Sequence, residues 1–267
     1  MTTKEAIVRW INYIERRKAE RTVVEYRRCI WRFAETMPAG LQDVRQENIE
    51  NFLYSLRTLN SSTVNWHLCV IKSFFHWASD AYDVPNPVAK IKRLLTLPPR
   101  QRILSEAEYS QVLTICNPDE RCIVEFLSHT GLRASESLSL SESSANGRML
   151  KVLGKANKVR FVPLNSTAVA HFATFIYLLK SKKRLFLYKL CQKLSKRAGI
   201  PRFGPHALRH YFASLMIKRN ASLYKLSRAM GHANTRITES TYIHLIMQQD
   251  LQGFTDVLDE PEQVAHE

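Results

Sequence analysis

The sequence predicts a mainly α-helical protein with one small β-hairpin or sheet, organised as two domains. Three observations predict it. Apolar residues recur at helical spacing through the first ~95 residues, a Pro-Pro pair interrupts the chain at Pro98-Pro99, and a single alternating stretch, Met149 to Leu164, lies within an otherwise helical second half.

In the first domain, Val23, Ile30 and Phe33 mark a helix that starts after Glu20-Arg21-Thr22. Ile49, Phe52, Leu53 and Leu56 fall at i, i+3, i+4 and i+7, one face of a second helix. Val64, Leu68, Ile71, Phe75 and Ala78 line another, with N-caps offered by Ser61-Ser62-Thr63. Leu97-Pro98-Pro99-Arg100-Gln101-Arg102 has the composition of an interdomain linker, because prolines keep it extended and arginines keep it solvated. The expected division is a helical domain over 1–95, a linker over 96–104 and a second domain over 105–267.

The second domain opens on Ser105-Glu106-Ala107-Glu108, a capping box in which Ser105 and Glu108 satisfy each other's free N–H groups. Helices are expected over Ser105–Cys116 and Asp119–His129, the latter stopped by Gly131. Met149 to Leu164 reads as two strands joined at Gly154-Lys155-Ala156-Asn157-Lys158, and the chain turns helical again from about Thr167. No strand is evident around Lys180–Leu187.

Charge narrows the partner. The chain carries 39 Lys and Arg against 24 Asp and Glu, a net +15. Residues 100–249 hold 24 basic and 8 acidic residues, whereas 250–267 hold six acidic and no basic ones. A basic middle of that size fits a polyanion such as DNA. Charges fall early in Met1–Trp10 and no apolar run is long enough for a bilayer, so neither a signal peptide nor a membrane partner is expected. Five scattered cysteines without C-x-x-C suggest reduced thiols and a cytoplasmic setting.

Four polar segments stand out, each commonplace alone. Arg133 in Thr130-Gly131-Leu132-Arg133-Ala134-Ser135-Glu136 sits where one helix gives way to the next, a place where an arginine and free N–H groups can face an anion. Lys155 sits on the hairpin turn, where an ammonium can reach a leaving oxygen. His206 and Arg209 in His206-Ala207-Leu208-Arg209-His210 share a helical face, and Leu208 and Phe212 point to the core. His210, one residue on from Arg209, is expected to face elsewhere as a structural residue. Finally, Gly231 ends a helix, His232 follows, and Tyr242 lies on the next helical piece. No metal site or cofactor is expected. The chain lacks H-E-x-x-H, a Cys/His cluster, a P-loop, G-x-G-x-x-G and G-x-S-x-G, and its second domain has no clustered carboxylates of the kind a metal nuclease needs.

In combination the segments are specific. The order Arg133, Lys155, His206-x-x-Arg209, Gly231-His232, Tyr242 resembles the tyrosine recombinase, or phage integrase, family and the Xer-type chromosome-dimer resolvases within it. The resemblance covers 105 to 245, and the N-terminal helices are similar to the family's SAM-like core-binding domain. It implies two domains forming a C-shaped clamp on DNA. Arg133 and Arg209 would be the phosphate-binding arginines, Glu136 the acid supporting Arg133, and Lys155 the hairpin lysine. His206 and His232 would be the catalytic histidines, and Tyr242 the nucleophile.

Such a set allows Tyr242 to attack a phosphodiester and form a 3′-phosphotyrosyl link, with Lys155 protonating the 5′ oxygen. Each arginine contact to the transition state would contribute roughly 2–4 kcal/mol. Nearby cations are expected to lower the Tyr242 pKa. The implied partner is double-stranded DNA, bound by a homotetramer on paired sites that is monomeric in solution, with an accessory protein as an open possibility. Candidate DNA contacts are Arg27, Arg28, Arg32, His67 and Lys72 in the first domain and Lys158 and Arg160 beside the hairpin. The acidic, apolar end, with Leu251, Phe254, Val257 and Leu258, is expected to form an amphipathic helix that docks in cis or in trans. Two further readings stand beside recombination: a type IB-like topoisomerase, and a non-catalytic DNA-binding protein on the same scaffold.

Overall fold

The computed structural model describes residues 1–96, 102–154, 158–232 and 234–243. The chain divides into two compact units, Met1–Pro99 and Arg100–Glu267.

Among its described residues the first unit holds four α-helices: α1 (Thr3–Glu15), α2 (Glu20–Ala34), α3 (Gln46–Ser55) and α4 (Ser61–Tyr82). The first was not foreseen. It starts at a capping box between Thr2 and Glu5 and buries Ile7, Trp10, Ile11 and Ile14 along one stripe. The N-cap of α4 is Asn60, one residue before the expected Ser61-Ser62-Thr63, and its Oδ1 accepts the Ser62 N–H at 2.8 Å. Trp10, Phe33, Phe74 and Phe75 are fully buried, and Phe33 meets Phe52 edge-on at 5.3 Å. Burial of each such ring stabilises the unit by about 1.5–3 kcal/mol.

That packing engages two of the candidate DNA contacts within the unit itself. His67 is 6% exposed and its Nδ1 lies 3.1 Å from Cys29 Sγ, inside the core. Lys72 donates from Nζ to the Ile91 carbonyl at 2.6 Å, which ties it to the unit's own backbone. Arg27 and Arg28 are exposed beside Glu15 and Glu25, and Arg32 is exposed. Surface pairs of this kind contribute only ~0–1 kcal/mol.

The second unit runs α5 (Glu106–Ile115), α6 (Pro118–Thr130), α7 (Ala134–Ser137), β1 (Ala145–Asn146), β2 (Met149–Leu153), β3 (Val159–Pro163), α8 (Ser166–Leu179), α9 (Arg184–Arg197), α10 (Pro205–Lys218) and α11 (Leu223–Met230). Residues 235–243 are helical again, designated α12. α5 starts at the Ser105–Glu108 capping box. α6 ends at Gly131, whose φ of 62° admits glycine readily; a Cβ there would lie 2.4 Å from the Phe212 ring. α6 packs on α8 through Phe126 and Phe175, stacked at 4.0 Å.

The strands form an antiparallel sheet in the order β1-β2-β3. Its register pairs Leu150 with Val162 and Val152 with Arg160. Leu150, Val152 and Val162 are buried, so Arg160 lies on the inward face by the two-residue period of a strand. The short edge strand β1 was not anticipated. The segment around Lys180–Leu187, which showed no strand, carries the start of α9. Lys155, expected on a hairpin turn, lies outside the described residues, as does the C-terminal stretch with Leu251, Phe254, Val257 and Leu258. No helix among the described residues is long and apolar enough to cross a membrane.

Candidate active site

The site is built where two helices end. Gly131 closes α6 and Gly231 closes α11, both in left-handed conformation. Each turn leaves backbone carbonyls pointing out of a helix C-terminus, the negative end of its dipole. Three arginines occupy these carbonyls. Arg209, on α10, donates to Gly131 O at 2.7 Å and to Met230 O at 2.6 Å. Arg160 donates from Nε to Ala229 O at 2.8 Å, and Arg133 from Nη2 to Gly231 O at 3.1 Å. A Cβ on Gly231 would lie 2.9 Å from Arg160 Cδ, so only glycine lets the guanidinium approach this closely.

One carboxylate sits among them. Glu136 is 4% exposed. It accepts the Arg133 backbone N–H and Arg133 Nη1, each at 2.8 Å, and both Nη atoms of Arg160 at 2.8 Å. Arg209 Nη1 lies 4.0 Å away. Burial alone would raise the carboxyl pKa, but the hydrogen bonds from Arg160 and Arg133 outweigh it and hold the group at about 2. Glu136 is therefore a carboxylate at every physiological pH. Three guanidiniums against one carboxylate leave this cluster with a surplus of two positive charges.

Arg160, a candidate DNA contact, turns its side chain inward onto Glu136, and only 11% of it is exposed. The inward period shared with Val162 and Leu164 was the available signal. Lys158 is exposed.

The histidines divide by partner. Arg209 Nη2 lies 3.1 Å from His232 Nε2, and His232 Nδ1 lies 2.7 Å from Thr238 Oγ1. Arginine has no acceptor, so Nε2 must accept and Nδ1–H donates to Thr238, which assigns the neutral tautomer. Burial, reinforced by Arg209, Arg133 and Arg160, pushes His232 down to about 4. His206 is exposed as a residue. Even so, enclosure of its ring and the charges of Arg209, Arg184 and Arg133 lower its pKa.

Tyr242, on α12, is 0% exposed and packs with Ala213, Ile217, Leu226 and Met230. Its hydroxyl lies 2.6 Å from His210 Nδ1. Sequence reasoning missed this contact. Neighbouring helix positions do diverge by about 100°, but here both directions lead into the site. Arg209 points to the two helix ends and His210 points to α12. The expected sign of the Tyr242 shift is also reversed. Burial raises its pKa and outweighs the opposing charge of Arg209, so the phenol is protonated at rest.

The arrangement of a buried guanidinium cluster, ordered by a carboxylate and two helix ends beside a phenol, suits a phosphate. Residues 102–249 match the family model described as the Phage integrase family. The chain belongs to the phage integrase family. Residues 7–81 match the model for the phage integrase N-terminal SAM-like domain.

Relatives and solved members extend the comparison. Tyrosine recombinase XerA of Saccharolobus solfataricus is 28% identical over 197 residues, covering 70% of this chain and 65% of that protein. Tyrosine recombinase XerD of Oceanobacillus iheyensis is 28% identical over 272 residues, 87% of this chain and 90% of that one. The fold matches lambda integrase residues 75–356, solved as a dimer bound to a COC′ core site, with a TM-score of 0.77 at 18% identity, covering 89% of this chain and 97% of that one. Lambda integrase has also been solved as a tetramer bound to a Holliday junction, matching with a TM-score of 0.74 at 16% identity and covering 88% of this chain and 78% of that one.

Proposed function

We propose that this phage integrase family member is a site-specific recombinase that cuts and rejoins double-stranded DNA through a 3′-phosphotyrosyl bond at Tyr242. The observation that carries the reading is the cluster of Arg133, Arg160 and Arg209 around Glu136 and the end of α11, with His210, the next residue after Arg209, on the Tyr242 hydroxyl. A phosphodiester carries one negative charge and gains a second as a nucleophile adds. The cluster's surplus of two positive charges answers that change, and its preorganised donors need no rearrangement as charge develops.

In this reading Arg133 is the arginine best placed to reach the phosphate, since a third of its side chain is exposed. Arg209 works from a buried position, held rigid by two carbonyls and His232. Arg160 and Glu136 fix the angle of Arg133, and His206 adds a hydrogen bond from the exposed edge. Tyr242 attacks phosphorus, the P–O5′ bond breaks, and Lys155 gives the 5′ oxygen its proton. The phosphotyrosyl link conserves the bond, so a second 5′-hydroxyl reverses the step on another strand. We place the reaction in the cytoplasm, on paired DNA sites held by a homotetramer. The lambda integrase tetramer on a Holliday junction supports that assembly.

A pool of nicked duplexes of varied sequence tests the proposal. The protein should form a covalent adduct with a subset of duplexes, and Tyr242→Phe should form none. Strand exchange between two copies of a recovered site separates recombination from the relaxation expected of a type IB-like topoisomerase. Absence of any adduct across the pool would favour a non-catalytic DNA-binding protein.

A further inference from the structure

His210 was read from sequence as a structural residue, yet it alone among the described side chains meets the hydroxyl of Tyr242 in a hydrogen bond. We propose that His210 is the catalytic base that takes the Tyr242 phenol proton as the phenol oxygen attacks phosphorus. The inference deepens the strand-cleavage reading above and rests on it.

Attack by a tyrosine needs a proton acceptor, and the other polar groups of the site are unsuited. Arg133, Arg160 and Arg209 have donors only. Glu136 accepts from Arg133 and Arg160 with both of its oxygens. His232 directs Nε2 to Arg209 and Nδ1 to Thr238. His206, one helical turn before His210 on α10, makes no hydrogen bond to the Tyr242 hydroxyl. His210 is half-buried, and its Nδ1 lies 2.6 Å from the phenol oxygen, within the distance general-base transfer requires. Burial, with His206 and Arg209 nearby, pushes its pKa down to about 4, so the ring is neutral at pH 7, and in its Nε2–H tautomer Nδ1 accepts the phenol O–H.

The step balances. The phenol proton passes to His210 Nδ1, the tyrosine oxygen–phosphorus bond forms, and the P–O5′ bond breaks as Lys155 protonates the leaving oxygen. On resealing, a 5′-hydroxyl attacks phosphorus and returns its proton to Lys155. The imidazolium of His210 gives its proton back to the departing phenolate. The cation made at His210 during cleavage is unfavourable beside Arg209 until a phosphate is present. That couples proton transfer to an occupied site.

The test uses the full chain and the nicked duplex recovered from the pool, with single-turnover adduct formation as the readout. His210→Asn keeps a hydrogen-bond acceptor near Nδ1 without a base, and should slow cleavage by about 10²-fold or more. Replacing Tyr242 with 3-fluorotyrosine, whose phenol ionises more readily, should recover at least ten-fold of that loss in His210→Asn while changing the wild-type rate far less. A 5′-bridging phosphorothiolate, whose leaving group needs no proton, should not rescue His210→Asn. Cleavage by His210→Asn at the wild-type rate, or the same loss with either phenol, would overturn the inference and leave the recombinase reading standing. A wild-type protein that forms no Tyr242 adduct would overturn both. Nitrogen-15 NMR of the DNA-free protein gives an independent check: His210 should be the neutral ring with Nδ1 unprotonated, and a protonated Nδ1 would contradict the assignment.

Discussion

Arg160 meets Glu136 with both terminal nitrogens, Nη1 to Oε1 and Nη2 to Oε2, each at 2.8 Å. This fork joins the hairpin to α7, while the same guanidinium reaches Ala229 at the end of α11 through Nε. Removing one member of a buried pair leaves its partner uncompensated, at a cost of about 3–5 kcal/mol. Arg160→Ala should therefore destabilise the second unit by about 3 kcal/mol in urea unfolding. Arg160→Lys should recover only part of it, since an ammonium cannot form the fork.

Glu136 gives the same network a pH signature. Its folded pKa of about 2 lies below the usual 4.5, so the ionised carboxylate stabilises the fold at and above pH 4.5. That contribution, on the order of 3 kcal/mol, is lost as pH falls from 4.5 toward 2. The stability difference between wild type and Glu136→Gln should shrink across that window and stay flat from pH 5 to 8. An unchanged difference down to pH 2 would place the carboxylate outside the network.

The two active-site histidines in contact with other site residues should give an acid-side effect at higher pH. His210 and His232 are each pushed down to about 4 from 6.5. Their neutral forms stabilise the fold above pH 6.5, and that contribution fades as pH drops from 6.5 toward 4. NMR titration should show both rings neutral at pH 6, a pH at which an exposed histidine is mostly protonated.

Much of this was legible in the chain. The Ser105–Glu108 capping box, the glycine stops at 131 and 231 and the alternation from Met149 to Leu164 rest on local rules, and the structure follows them. The sequence order of the polar motifs pointed to Arg133, Glu136, Arg209, His232 and Tyr242; the fold gathers the first four around two helix ends and sets Tyr242 against His210. What escaped depends on tertiary context. His67 and Lys72 read as surface cations, but the position of each on α4 set its partner: Cys29 for one and the Ile91 carbonyl for the other. His210 was dismissed by helical geometry alone, which cannot foresee that α12 returns against α10. The Tyr242 shift was judged from nearby charge, and burial proved the larger effect.

Gly231 should tolerate no side chain. Its φ of 66° strains any L-residue, and a Cβ would lie 2.9 Å from Arg160 Cδ. Gly231→Ala should cost about 1–3 kcal/mol in backbone strain and displace Arg160. Adduct formation should fall more than stability does. A variant with wild-type cleavage would show that the approach of Arg160 to α11 does not matter to the chemistry.

Mass spectrometry of the trapped protein–DNA adduct tests the central claim most directly. The account predicts a single modified peptide, with the nucleotide joined through its 3′ phosphate to the oxygen of Tyr242. A nucleotide attached to any other residue, or joined through a 5′ phosphate, would contradict it.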